Sequence, residues 1–286
     1  MTATEPLDDP SSREPGCVFL LTDYGVSDEL AGVLRATVAR LAGRAPLIDL
    51  THGVPHFDVR AGALALARSV PFLGAGVVVG VVDPGVAGDR RGIAIEVNSV
   101  IGPRHLVGPD NGLLIWASEH LDGIREAVRL PVAQGERRST FDGRDVFAPA
   151  AASIWRGARV CDLGDAIDPA ELVHLAPPRL SVGPGVVETE VTWIDGFGNV
   201  QLSATASDAD EAALGDRVQI VGGDKSFAAH RVRSFAAVSP GEVGIIVDAN
   251  GHLAVVGDRS SAALTLGLTE TDPVTLLAAG ETSDGC

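Results

Sequence analysis

The segment Val81-Val82-Asp83-Pro84-Gly85-Val86-Ala87-Gly88-Asp89-Arg90-Arg91 holds the residue types that proton transfer and charge balancing require. An apolar, β-branched run from Val77 to Val82 stops at an acid, a proline and a glycine, and two arginines follow. A buried strand ending this way delivers a carboxylate to the C-terminal edge of an α/β sheet, where ligands bind. The plain alternative is an ordinary strand-to-turn junction. Three more apolar runs end in polar groups: at Asp23, at Asp110-Asn111, and at Asp195-Gly196-Phe197-Gly198-Asn199. A further cluster, Ser139-Thr140-Phe141-Asp142-Gly143-Arg144-Asp145, precedes a helical stretch. Singly, each has a structural explanation. Asp23 could cap a helix, Asp110-Asn111-Gly112 could be a turn, and Asp145 could cap the helix at Val146. Together they point to one ligand site built from carboxylates, amides and arginine.

Other chemistries lack their signatures. No G-x-G-x-x-G follows the first strand, and there is neither a Walker A loop nor a G-x-S-x-G elbow. His52 and His56 are four apart, but Pro55 between them argues against a shared helical face. No metal site and no cofactor are expected. The three cysteines, Cys17, Cys161 and Cys286, form neither metal spacing nor a disulfide framework.

The elements that must position these groups alternate. Strands are expected at Cys17–Thr22, Leu47–Leu50, Val77–Val82, Ile93–Val97 and Leu106–Val107, with helices at Glu29–Ala42, Asp58–Ser69 and Asp145–Arg156. Ser27 or Asp28 is the expected cap of the first helix. This order predicts an N-terminal layered α/β domain with a mainly parallel sheet over residues 17–176. After Ala176-Pro177-Pro178 the pattern changes to short β runs: Val186–Ile194, Asn199–Leu202, Arg217–Val221, Val243–Val247 and Leu253–Val256. One short helix follows at Ala262–Leu266. A smaller C-terminal antiparallel, barrel-like β domain is expected over 185–280. Residues 1–16 are polar and acidic without a basic signal region and read as a disordered leader.

The chain has 286 residues, is 45% hydrophobic and carries a formal charge of −16. Such a chain is globular, and its field repels phosphate backbones, so nucleic acid is an unfavoured partner. No apolar run is long enough to cross a bilayer, and a cytoplasmic protein is expected.

Five motifs in order, Phe19-Leu-Leu-Thr-Asp-Tyr-Gly25, Asp83-Pro-Gly-Val86 with Arg90, Gly108-Pro-Asp-Asn-Gly112, Thr140-Phe-Asp-Gly-Arg-Asp-Val-Phe-Ala-Pro149 and Asp195-Gly-Phe-Gly-Asn199, resemble the S-adenosyl-L-methionine hydroxide adenosyltransferases. These are adenosine-forming hydrolases related to fluorinase and chlorinase. The resemblance runs from about Cys17 to Leu268. It implies a homotrimer whose ligand, S-adenosyl-L-methionine, sits between the N-terminal domain of one subunit and the C-terminal domain of the next. The implied reaction is attack of water at the ribose 5′ carbon, giving adenosine and methionine. By resemblance Asp23 holds the ribose hydroxyls, and Phe57 lines the ribose and the reacting carbon. Asp195, Phe197, Asn199 and the turn at Ser261 serve the adenine or methionine end.

Asp83 and Arg90 match the water-binding part of an Asp–Arg–His set. At the histidine position this chain has Asp142, and the halogenating relatives carry tyrosine where it has Asp83. A carboxylate beside the nucleophile repels halide, so water is the expected nucleophile. The sulfonium leaves as a neutral thioether and needs no acid, but the water needs somewhere to put a proton. If Asp142 points at Asp83 the pair would share a proton, with Arg90 opposing. The alternatives are a solvent-facing Asp142 with weakened catalysis, hence a binding protein for S-adenosyl-L-methionine or adenosine, and a halide-dependent halogenase.

Overall fold

The computed structural model describes residues 16–100, 102, 104–131, 140–223 and 225–279. The expected leader, apart from Gly16, and Ser139 lie outside these. The chain divides into two compact units between Leu175 and Ala176.

The first unit is built on a sheet of order β2-β1-β3-β5-β4-β6-β7. The strands are β1 (Cys17–Thr22), β2 (Leu47–Thr51), β3 (Gly76–Val81), β4 (Gly92–Val97), β5 (His105–Pro109), β6 (Ile124–Leu130) and β7 (Asp165–Ile167). In β1, Phe19 and Leu21 enter one apolar core while Val18 and Leu20 enter another. β3 divides in the same way, with Val78 on one face and Val77, Val79 and Val81 on the other. Burial on both faces is why these strands read as unbroken apolar runs. One face is covered by α1 (Leu30–Ala42) and α4 (Ala148–Trp155), the other by α2 (Val59–Ser69) and α3 (Ile115–His120). Asp58 caps α2, its Oδ1 accepting from Ala61 N at 2.8 Å. The first residue outside α1 is Glu29, which makes no side-chain cap; Asp28 Oδ1 instead accepts from Leu30 N at 3.1 Å.

The parallel reading holds for β2-β1-β3-β5. The rest of the sheet, β5-β4, β4-β6 and β6-β7, is antiparallel. The connection from β4 to β5 is too short for a crossover helix, so that pair reverses direction. The reversal matters to the site, because it brings the start of β4, and with it Arg90 and Arg91, to the edge where β1, β3 and β5 end.

The second unit is a closed barrel of seven strands: β9 (Val186–Ile194), β10 (Val200–Thr205), β11 (Arg217–Gly222), β12 (Lys225–Arg231), β13 (Val243–Val247), β14 (His252–Val256) and β15 (Pro273–Ala278). Pairing of β10 with β9 closes it, and β8 (Leu180–Gly183) adds to β9 from outside. Every pair is antiparallel except β12–β13. Closure removes exposed strand edges, and Val187, Val191, Leu202, Ile220, Ile245 and Leu276 fill the interior. Two short helices attach to it, α5 (Ala206–Glu211) and α6 (Ala262–Leu266).

His105 opens β5 largely buried. Burial pulls its pKa down to about 4, and the Arg104 charge adds to this. The unfolded chain takes up the proton near about pH 6.5, the folded chain only near pH 4. The protonated side chain thus favours the unfolded state, and stability falls as pH drops from about 6.5 to 4. The whole shift corresponds to roughly 3–4 kcal/mol. Urea unfolding across this range is expected to show that loss, and His105→Gln to flatten it; an equally steep loss in the variant would assign it to other groups.

Candidate active site

β1 and β3 run parallel and in register, with Thr22 opposite Val81. Their next residues therefore emerge side by side, and Asp23 N donates to Val81 O at 3.3 Å. This edge opens on a cavity of about 640 Å³. Asp23, Tyr24, Phe57, Asp83, Phe141 and Asp142 are among its walls. The structure thus brings Asp23, Phe57, Asp83 and Asp142 to one cavity, while Asp110 and Asn111 lie outside it.

Arg90 is the hub. Its Nε donates to Asp83 Oδ1 at 2.9 Å and to Oδ2 at 3.0 Å, and its Nη2 donates to the same Oδ2. Nη2 also donates to Asp142 Oδ2 at 2.5 Å. All three side chains are withdrawn from solvent: Arg90 is 10%, Asp83 6% and Asp142 1% exposed. Arg90 also stacks on Phe147, 5.3 Å from the ring centre. Burial disfavours its charge, yet the bonds to Asp83 and Asp142 raise its pKa above the ordinary arginine value. Both carboxylates thus bond the same guanidinium nitrogen. Two aspartates and one arginine give the cluster a formal charge of −1. Arg90 Nη1 and Asp142 Oδ1 are buried without a hydrogen-bond partner among the described residues.

Asp23 uses Oδ2 to accept Phe57 N at 2.9 Å. That bond helps hold Phe57 at φ 67°, a region that bulky residues rarely enter, and leaves its ring 71% exposed. Asp23 Oδ1 makes no hydrogen bond among the described residues. The helix expected from Asp145 begins instead with a wider π turn, Gly143–Phe147, before α4. Asp145 does not cap it; both its oxygens accept from Arg144, at 2.6 and 2.7 Å. Asp110 and Asn111 have structural work. Asp110 accepts from Arg91 Nε at 2.7 Å and from Val173 N at 2.9 Å, and Asn111 Nδ2 donates to Val82 O at 2.8 Å.

In the second unit Asp195 organises its own turn. It accepts from Phe197 N, Asn199 N and Asn199 Nδ2 at 2.9, 2.9 and 2.8 Å. The turn presents Phe197, 84% exposed, beside a hollow of about 510 Å³ that Asn199, Phe235, Arg259 and Ser261 also line. Ser261 caps α6, its Oγ accepting from Leu264 N at 3.1 Å. Gly198 lies against it at φ 84°, and a Cβ there would stand 2.1 Å from Ser261 Oγ. Gly198→Ala is expected to cost about 2 kcal/mol or more in thermal unfolding. Gly196→Ala, where a Cβ meets nothing within 4 Å, serves as the control. Equal melting of the two variants would contradict this packing.

Sequence reasoning gave no role to Tyr24, Phe235 or Arg259. Tyr24 was visible beside Asp23; Phe235 and Arg259 stand in loops without periodicity. Among the described residues, no three His, Cys, Asp or Glu side chains group so as to hold a metal ion.

A sheet edge that gathers carboxylates around an arginine in one cavity, followed in the chain by a small closed barrel with a ligand-sized hollow, defines a two-unit α/β-plus-barrel enzyme. The chain belongs to the SAM hydroxide adenosyltransferase family: residues 18–164 match its N-terminal domain and residues 189–275 its C-terminal domain. It is 41% identical to the (R)-S-adenosyl-L-methionine hydrolase of Salinispora tropica, over 89% of this chain and 95% of that protein. A fluorinase of an Actinoplanes species is more distant, 24% identical over 92% of this chain and 98% of that protein. An uncharacterized conserved protein of Thermotoga maritima shares the fold, with a TM-score of 0.83, 30% identity, and coverage of 91% of this chain and 99% of that one.

Proposed function

We propose that this protein hydrolyses S-adenosyl-L-methionine to adenosine and L-methionine by attack of water at the ribose 5′ carbon. The observation that carries the reading is the buried Asp83–Arg90–Asp142 cluster on the edge that also bears Asp23. The family relationship to a hydrolase supports it.

The chemistry asks little of the leaving group, since carbon–sulfur cleavage turns a sulfonium into a neutral thioether. It asks for an in-line water and a proton acceptor. Asp83 and Asp142 supply acceptor oxygens, Arg90 fixes them, and Asp23 Oδ1 takes the ribose hydroxyls. The cluster's net negative charge complements the sulfonium. It opposes a halide in the nucleophile position by several kcal/mol at about 4–5 Å. Asp142 thus serves in place of the histidine that the resemblance expects. Phe197, Asn199 and Ser261 would hold the far end of the substrate, with Asp195 shaping their turn. Following the family resemblance, the working unit is a cytoplasmic homotrimer in which those residues come from a neighbouring subunit. Light scattering is expected to give a trimer, and an active monomer would exclude that arrangement.

Chromatography after incubation with S-adenosyl-L-methionine, with and without chloride, tests the activity. Adenosine and methionine in both samples are expected. Unchanged substrate would favour a binding protein, and a 5′-haloadenosine would favour a halogenase.

A further inference from the structure

Tyr24 is an aromatic, hydroxyl-bearing residue of the cavity wall that the reaction as described leaves unused. It follows Asp23 directly, and its backbone N donates to Thr22 Oγ1 at 3.1 Å. The ring is fixed from two sides. Phe141 meets it edge-on, with centroids 5.6 Å apart. Gly143 lies under the hydroxyl so closely that a Cβ there would stand 2.3 Å from Tyr24 Oη. The hydroxyl therefore occupies the space that a side chain at position 143 would fill, beside the peptide that carries Asp142.

The hydroxyl of a partly buried tyrosine ordinarily finds a partner. Among the described residues, no hydrogen bond of the Tyr24 hydroxyl is formed, although the residue lines the cavity. Burial holds its pKa above the usual phenol range, and the charges of Asp23, Asp83 and Asp142 push the same way, against Arg90. The group is a standing donor. A water placed here has acceptors in Asp83 and Asp142 for its protons. As it loses a proton its oxygen gains charge, and that charge needs a donor. Arg90 has Nε and Nη2 committed to the carboxylates, and Nη1 is buried.

We propose that Tyr24 is a further catalytic residue, whose hydroxyl donates a hydrogen bond to the attacking water oxygen and turns its remaining lone pair toward the 5′ carbon. The inference rests on the hydrolase reading. The balance is simple: the oxygen–C5′ bond forms, the C5′–sulfur bond breaks with its electron pair going to sulfur, and the water proton goes to a cluster carboxylate. Tyr24 keeps its own proton. Its bond strengthens as hydroxide character develops, so it acts on the transition state more than on the bound substrate.

The test is Tyr24→Phe, which deletes only the oxygen. Turnover of S-adenosyl-L-methionine is expected to fall roughly 10- to 100-fold, with KM and thermal midpoint unchanged. Gly143→Ala gives a second reading. It should slow the wild-type enzyme strongly but cost little more in the Tyr24→Phe background, where the 2.3 Å conflict is gone. Unchanged kcat in Tyr24→Phe would overturn the proposal. So would a rise in KM alone, a fall in thermal midpoint matching the loss of rate, or an equal cost of Gly143→Ala in both backgrounds. Absence of adenosine from the wild type would instead defeat the hydrolase reading itself, and the proposal with it.

Discussion

Asp83→Asn is expected to lower turnover by about three orders of magnitude while the protein stays folded. The carboxylate accepts three hydrogen bonds from Arg90 at the end of the β3 run. The amide is isosteric but turns an N–H pair toward the guanidinium and removes the charge that accepts the water proton. General-base removal accounts for about 10²–10⁴ of rate, and misplacement of Arg90 adds to it. The fold survives because Asp142 still neutralises Arg90, so the buried cluster goes from one net negative charge to none. Steady-state kinetics beside circular dichroism check this. A folded variant with most of its turnover intact would remove Asp83 from the mechanism.

Arg90→Gln should do more damage, and of a second kind. It leaves two carboxylates, 6% and 1% exposed, without their cation. Breaking a buried ion pair by deleting one partner costs about 3–5 kcal/mol, because the remaining charge is stranded. Thermal unfolding should move down by several degrees or more, and turnover should vanish. Arg90→Lys should recover part of the stability without the activity, since a point charge cannot span two carboxylates as the planar fork does. If Arg90→Gln melts like the wild type, the cluster is not the buried triad described above.

The contrast between what the sequence disclosed and what it hid follows burial. β1 and β3 are covered on both faces, so Val18–Leu21 and Val77–Val82 are plain apolar runs, and the acids that end them stand out. β6, Ile-Arg-Glu-Ala-Val-Arg-Leu, and β12, Lys-Ser-Phe-Ala-Ala-His-Arg, mix charge with apolar residues and carry no such signal. The antiparallel half of the sheet and the closing β9–β10 pair depend on which strands meet, which periodicity does not encode. The same limit applied to the site. Asp83, Arg90 and Asp142 were visible as types, and Asp142 as a departure from the family pattern. That one Arg90 nitrogen would bond both carboxylates required Arg90, 52 positions before Asp142, to arrive at the start of a reversed strand. Turn-stabilising and ligand-binding acids share one sequence appearance, so the partners of Asp195 and Asp110 were not legible: Asp195 bonds Asn199 and its own turn, and Asp110 bonds Arg91 and Val173 N.

The central claim is that water attacks the 5′ carbon, and the origin of the new oxygen tests it most directly. The wild-type protein is incubated with S-adenosyl-L-methionine in ¹⁸O-enriched water, and the products are weighed by mass spectrometry. The account predicts adenosine carrying one solvent oxygen in its 5′ hydroxyl, unlabelled methionine, and only about a thousandth as much labelled adenosine in a parallel Asp83→Asn sample over the same time. Unlabelled adenosine, or label in methionine instead, would contradict it.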